Sequence, residues 1–246
     1  MGLIRRHCEL TAQVLEGYIA ARDLESLKTA LSTWQALECP ECKEKANALA
    51  PLFERLLTSE AALAMALPTG EFYKTARTLM SGPERESCAQ KVWAYWIAEL
   101  DRALTSGRKE ELGGKIHILD DDISPFLMPI SETCAMKVLT FIDRRLSELC
   151  MHPDGWLIFD MIFNYCDTWP VSPTVVDAYI EILSAIGRIY PKCQNMKLIY
   201  SAVEAAYAFM GIAAVHNKIL RLREDLLQYP EVPRTVDELL ECWRTG

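Results

Sequence analysis

The chain has 246 residues, half of them hydrophobic, and a formal net charge of −8 at pH 7. This size and apolar content suit one large domain or two small ones, and the 11 glycines are few enough to favour helices over a turn-rich β fold. Because an acidic surface repels phosphate, we expect no general nucleic-acid binding.

Hydrophobic residues recur at helical spacing through the first part of the chain and predict a series of antiparallel helices. A first helix is predicted over about residues 3–21, and Asp23 is the predicted N-cap of the second. Cys39 and Pro40 have the residue types expected at the N-cap and first position of a third helix. A long helix is then predicted over about residues 84–104.

Residues 107–130 interrupt the helical pattern and are predicted to form an irregular linker or loop. The stretch contains two adjacent glycines, the acidic run from Asp120 to Asp122 and two prolines. Glycine and proline favour turns over regular helices. We therefore expect this stretch to separate an N-terminal helical lobe, residues 1–106, from a C-terminal lobe, residues 131–246, although the lobes are also compatible with one packed domain.

The second half of the chain contains clear helix start signals. Ser131 and Ser172 are predicted N-caps of two long helices, and Pro173 has the residue type favoured at the first helical position. A long apolar segment begins at Met196, and Thr235 is predicted to cap the last helix. We therefore predict an all-α fold of about ten helices, arranged as an antiparallel bundle or a short α-solenoid-like array.

Nine cysteines are distributed along the chain. The odd count, the chain length and the lack of an export signal favour reduced thiols over a disulfide framework. Cys134, Cys150 and Cys166 lie on apolar faces of predicted helices, where a thiol packs like a small hydrophobic side chain. We therefore expect most of the cysteines to be buried and reduced.

The location of the protein is predicted from two further observations. The N-terminal residues lack the apolar core and cleavage site of a signal peptide. The most apolar window, residues 205–215, is too short to span a bilayer. We therefore expect a cytoplasmic protein with no membrane segment.

The run from Cys39 to Cys42 is the strongest candidate for chemistry, because a C-x-x-C run supplies two thiolates from one turn. If the first two helices form a hairpin that turns near Asp23, His7 and Cys8 lie within about one helical turn of this run. Thiolate and imidazole are the ligands of structural Zn²⁺. The sequence thus predicts a candidate zinc site of His7, Cys8, Cys39 and Cys42.

The same pair of cysteines has two other interpretations. At a helix N-terminus the Cys39 thiolate is stabilised by free N–H groups, so Cys39 is a candidate attacking thiol with Cys42 as the resolving one. No βαβ pattern surrounds the pair, which disfavours a thioredoxin-like fold. In the third interpretation, Cys39 caps a helix junction and Cys42 packs in the core.

The remaining sequence signals favour binding over catalysis. No serine-nucleophile or glycine-rich phosphate-binding motif occurs, so no motif supports an enzyme, although an enzyme is not excluded, and zinc is the one candidate cofactor. Aromatic residues cover more than one face of the helices around Trp93 and Trp156, as expected for core helices or for a partner-binding surface. We predict a non-enzymatic protein–protein interaction module, an adaptor or regulatory subunit that captures a helix or peptide in a groove. The alternative is a small structural-zinc or thiol-redox protein.

Overall fold

The computed structural model describes residues 82–106 and 108–245, together with residues 13, 14, 17, 18, 20, 21, 23, 26, 29, 73 and 77. These residues contain helices and no strand, which confirms the all-α class. The number of helices in the whole chain and the lobe boundaries stay predictions, because most of residues 1–81 lie outside the described part. None of the described helices combines the length and apolar character needed to cross a membrane.

The chain divides into two compact units. The first comprises residues 1–96 and 117–127, and the second comprises residues 97–116 and 128–246. Helix α1, Gly82–Thr105, matches the helix predicted over residues 84–104. In the first unit, the indole rings of Trp93 and Trp96 are fully buried, so these aromatic side chains belong to the core.

The prediction of an irregular linker over residues 107–130 is wrong for the larger part of that stretch. Three elements occupy it: α2, Lys109–Ile118; a π-helical turn, Leu119–Ile123; and α3, Ser124–Leu127. Gly113 lies inside α2 at a close approach, because a Cβ there would come within 2.8 Å of the Asp154 carboxylate. Gly113 therefore lies inside a helix beside the Asp154 side chain and does not form a turn.

Six helices of the second unit follow one another with short connections. Their bounds are α4, Glu132–Met151; α5, Leu157–Asn164; α6, Pro173–Cys193; α7, Met196–Ala205; α8, Ala213–Asp225; and α9, Glu231–Thr245. Short 3₁₀ turns follow α5 and α7. The predicted N-caps at two of these helices are confirmed: Ser131 Oγ accepts from the Cys134 N–H at 3.3 Å, and Ser172 Oγ from the Val175 N–H at 3.4 Å.

Two other boundaries differ from the prediction. The apolar segment that starts at Met196 is broken after Ala205 by a 3₁₀ turn, and a new helix begins at Ala213. The last helix begins at Glu231, so Thr235 lies inside it and does not cap it.

The six helices are arranged in two layers. Helices α4, α6 and α8 pack side by side in one layer, and α5, α7 and α9 pack side by side in the other. Two contacts within a layer join residues at similar separations: Ser201 with Asp160, 41 positions apart, and Cys150 with Cys193, 43 positions apart. One helical pair therefore stacks on the preceding pair with a nearly constant offset along the chain.

The prediction that Cys150 is a reduced thiol is wrong. Cys150 near the end of α4 and Cys193 at the end of α6 form a disulfide, with their Cα atoms 6.1 Å apart. Both cysteines end helices that are neighbours in the same layer, so the stacking of the pairs brings the two thiols together. Cys134 is buried as predicted, whereas Cys166 is half-buried.

Gln194 provides a test of the turn between α6 and α7. It ends α6 in the left-handed conformation, with φ 47°, and its N–H donates to the Tyr190 carbonyl at 2.8 Å. Because glycine adopts this conformation without strain, we expect Gln194→Gly to raise the free energy of unfolding by about 0.5–1 kcal/mol. Urea unfolding measures this change.

Gln228 is the matched control, since it is also an exposed glutamine outside a helix but its φ is not positive. Gln228→Gly is expected to be neutral or destabilising, because it only adds freedom to the unfolded chain. An equal gain in stability from both substitutions would contradict the left-handed conformation at Gln194.

Candidate functional site

A groove of about 420 Å³ lies along α5 and α7, in the layer that also contains α9. We call it the α5–α7 groove. Trp156, Met196 and Tyr200 supply most of its apolar lining, and the charged lining consists of Asp160, Lys197 and Glu204. An apolar cleft of this size with a few polar groups is typical of ligand- and peptide-binding sites.

Local sequence spacing places these side chains on one surface. In α7, Lys197, Tyr200 and Glu204 follow one another at intervals of three and four residues, so they share one face of the helix. Trp156, at the start of α5, and Asp160 are likewise one turn apart. Because α5 and α7 run in the same direction, the two faces lie side by side.

The direction of the helices follows from two contacts. The Lys197 ammonium contacts the Trp156 ring, and the Ser201 hydroxyl contacts the Asp160 carboxylate, in each case 41 residues apart. Because the separation is the same in both contacts, α5 and α7 run parallel along the groove. Trp156 and Lys197 therefore mark one end, and Asp160 lies one turn further on.

At the first end, Lys197 Nζ lies 4.9 Å from the centroid of the Trp156 ring. This is a cation–π contact, which contributes about 0.5–1 kcal/mol at an exposed site. No carboxylate among the described residues lies within ion-pair distance of Lys197. The ring thus holds an ammonium group whose charge is not neutralised.

Towards the other end, two carboxylates are held by neutral donors. Ser201 Oγ donates to Asp160 Oδ1 at 3.1 Å, and the Tyr200 hydroxyl donates to Glu204 Oε1 at 3.1 Å. In the described part of the chain, neither carboxylate pairs with a lysine or arginine. Within the described residues, these two like charges therefore lie at one end of the groove without an ion-pair partner, and the Lys197 ammonium lies at the other end.

Electrostatics in the groove reflects this arrangement. Burial raises the pKa of the Glu204 carboxyl, the hydrogen bond from Tyr200 lowers it, and the charge of Asp160 raises it further. Burial also raises the pKa of the Tyr200 hydroxyl, and the Glu204 charge adds to that shift. In both groups burial is the largest cause, and a neighbouring negative charge adds to the shift.

The sequence-predicted site residues His7, Cys8, Cys39 and Cys42 lie outside the described residues. The zinc interpretation and the thiol-redox interpretation therefore stay predictions. Across residues 82–106 and 108–245, and at the isolated described positions, no group of three or more His, Cys, Asp or Glu side chains is arranged to hold a metal ion.

Sequence reasoning singled out Trp156 as an aromatic residue but did not find its partners. The spacing of Lys197, Tyr200 and Glu204 is a local signal that marks one face of a helix. The position of Asp160 beside that face depends on how two helices stack 41 residues apart. No local pattern in the sequence contains that information.

Comparisons with known proteins identify no match. No protein family model, no curated protein and no solved structure is significantly similar to this chain. The geometry of the α5–α7 groove is therefore the basis for a functional interpretation.

Gly155 fixes the turn that leads into the groove. A Cβ at this buried position would lie 2.0 Å from the carbonyl oxygen of Leu149, and the next residue is Trp156. Because backbone must move to remove that overlap, we expect Gly155→Ala to lower the free energy of unfolding by about 1–3 kcal/mol. Urea unfolding measures the loss, and near-ultraviolet circular dichroism should report a changed tryptophan environment.

Gly211→Ala is the control, because no atom lies within 4 Å of a Cβ built there. Its effect on the free energy of unfolding should stay within about 0.5 kcal/mol. Equal effects at the two glycines would mean that the close approach at Gly155 is not a constraint.

Glu204→Gln is expected to stabilise the fold at neutral pH. The native pKa of Glu204 lies above its ordinary value of 4.5, so the folded chain binds this proton more tightly than the unfolded chain does. Ionised Glu204 therefore lowers stability at pH values above its raised pKa, and the neutral amide removes this cost. Because solvent screens the charge, we expect a gain of less than about 1 kcal/mol.

The gain should disappear below pH 4.5, where wild-type Glu204 is itself neutral in both states. Urea unfolding at both pH values tests this. Glu238→Gln is the control: the Glu238 carboxylate pairs with Arg234 at 3.1 Å, so its replacement should be neutral or slightly destabilising at pH 7. A Glu204 variant that is less stable at pH 7 would show that its charge is already compensated.

Proposed function

We propose that this chain is a non-enzymatic protein-interaction module that binds a polypeptide segment of a partner in the α5–α7 groove. The observation on which the proposal rests is the charge pattern of an apolar cleft: within the described residues, Asp160 and Glu204 form no ion pair with a cation, and Lys197 forms none with a carboxylate. Such a surface gains most from a partner that supplies the missing charges while its apolar atoms cover the aromatic lining.

The arrangement of the helices supports this function. Helical pairs that stack in two layers with an offset of 41 to 43 residues are typical of α-solenoids, whose stacked helices form extended binding surfaces. We propose that the whole chain is a short α-solenoid-like array of about ten helices. In that architecture the α5–α7 groove lies on one layer face, where adjacent repeats jointly contact a ligand.

The two hydroxyl groups of the groove orient its carboxylates. Ser201 in α7 is only 1% exposed, and its hydroxyl donates to the Asp160 carboxylate in α5. Tyr200 donates to Glu204 within its own helix, one turn further on. Both hydroxyl hydrogens are therefore engaged in orienting carboxylates, which suits recognition of a fixed charge pattern more than nucleophilic chemistry.

Site-specific photo-crosslinking tests this function. A photo-reactive phenylalanine derivative in place of Tyr200, in cells that express the chain naturally, should give a discrete crosslinked adduct with a partner protein. The control is the same group at Leu227, which is 58% exposed compared with 43% for Tyr200, and which does not line the groove. Position 227 should give no such adduct, because only the groove holds the partner.

Trp156→Ala provides the second measurement. We expect it to weaken retention of the crosslinked partner at least tenfold, since truncation of an aromatic contact commonly costs more than 1 kcal/mol. If Trp156→Ala fails to fold, Tyr200→Ala is used in its place, because the Tyr200 side chain is 43% exposed and its loss disturbs the core less. An identical adduct from both crosslinker positions, or unchanged retention in both alanine variants, would rule out the groove as the binding site.

A further inference from the structure

The α5–α7 groove has a positive end and a negative end. Lys197 is in the first turn of α7 and Glu204 is in its last, seven residues further on. At 1.5 Å rise per residue the two positions are about 10 Å apart. The dipole of α7 has the same sense, positive at its N-terminus and negative at its C-terminus, so it adds to the separation of charge.

Each end of the groove has charged groups that can still bind a ligand. At the negative end, one oxygen of each carboxylate accepts from Ser201 or Tyr200, while Asp160 Oδ2 and Glu204 Oε2 accept no hydrogen bond within the described residues. At the positive end, the Lys197 ammonium touches only the Trp156 ring among the charged and aromatic groups described there. A ligand can therefore form ion pairs at both ends without breaking an internal bond.

The distance between the two ends favours an extended ligand over a helix. The ends are about 10 Å apart, so the charges select only a short segment, and short isolated helices are marginally stable in water. An extended chain advances about 3.3 Å per residue, so about three residues cover the distance between the two ends.

We propose, on the basis of the function proposed above, that the groove recognises an extended peptide segment in which an arginine and an acidic residue are three positions apart. The arginine pairs with Asp160 and Glu204, because the planar guanidinium can donate to two carboxylate oxygens at once. The acidic residue pairs with Lys197. The half-exposed ring of Tyr200, between the two ends, packs against the intervening residues.

Selection from a random octapeptide library displayed on phage tests this specificity, with the purified full chain as bait. Wild-type chain should enrich peptides with arginine at one position and aspartate or glutamate three positions away. Glu204→Lys should abolish the arginine preference, because a lysine beside the remaining Asp160 carboxylate leaves that end without net negative charge. Asp160→Asn should weaken the selected peptides at least tenfold, although its side-chain oxygen still accepts from Ser201.

The matched control is Glu181→Lys, an equal change of charge at an exposed position of α6 that does not line the groove. It should change the affinity of the selected peptides by no more than twofold. Circular dichroism and urea unfolding establish that each variant is folded before its binding is measured.

Three outcomes separate this inference from the function on which it rests. In the first, the selected peptides bind the wild-type chain and not Tyr200→Ala, yet lack the arginine–acid pattern or have charges seven residues apart, as on a helix. That outcome would overturn the inference and leave a peptide-binding groove. Failure to enrich any peptide whose binding depends on Trp156 or Tyr200 would overturn both. Self-association in sedimentation experiments that is lost in Tyr200→Ala would identify a second copy of this chain as the occupant and also overturn the inference.

Discussion

The register in which α7 packs beside α5 determines the rest of the candidate site. The hydrogen bond from the buried Ser201 hydroxyl to Asp160 fixes this register at one point. With the same offset, Lys197 meets the ring of Trp156. A shift of one residue would rotate the α7 face by about 100° and separate every one of these pairs. Charge pattern, cleft and helix direction are therefore consequences of a single packing relationship.

The ends of the helices hold that relationship in place. Asn195 donates through Nδ2 to the Cys150 carbonyl at 3.1 Å, and its Oδ1 accepts from the Leu198 N–H at 3.3 Å. One side chain thus caps α7 and ties its start to the end of α4. Gly155 then permits the sharp entry into α5. The two walls of the groove begin at the same junction, which explains how short helices can present side chains in a defined pattern.

Local features of the fold could be predicted from the sequence, and features set by stacking could not. Ser131 and Ser172 were identified as caps because a cap depends only on the next three residues. The glycines near Gly113 predict a turn, whereas the structure has a helix there, and its neighbour Asp154 is distant in sequence. Cys150 was assigned as a free thiol because its partner is likewise distant in sequence. In the candidate site, the sequence predicts that the aromatic helix around Trp156 is either a core helix or a partner-binding surface, but the charged neighbours of Trp156 follow from an offset that no motif records.

The disulfide has a consequence for the covalent topology of the site. Cys150 and Cys193, 43 residues apart, close a loop that contains α5 and α6, whereas α7 follows directly outside it. The exposed connection around Val171 lies within this loop. A protease cut there leaves both fragments covalently joined, so the wall formed by Trp156 and the wall formed by α7 stay on one molecule as long as the bond is oxidised. Only cleavage together with reduction separates the two sides of the groove.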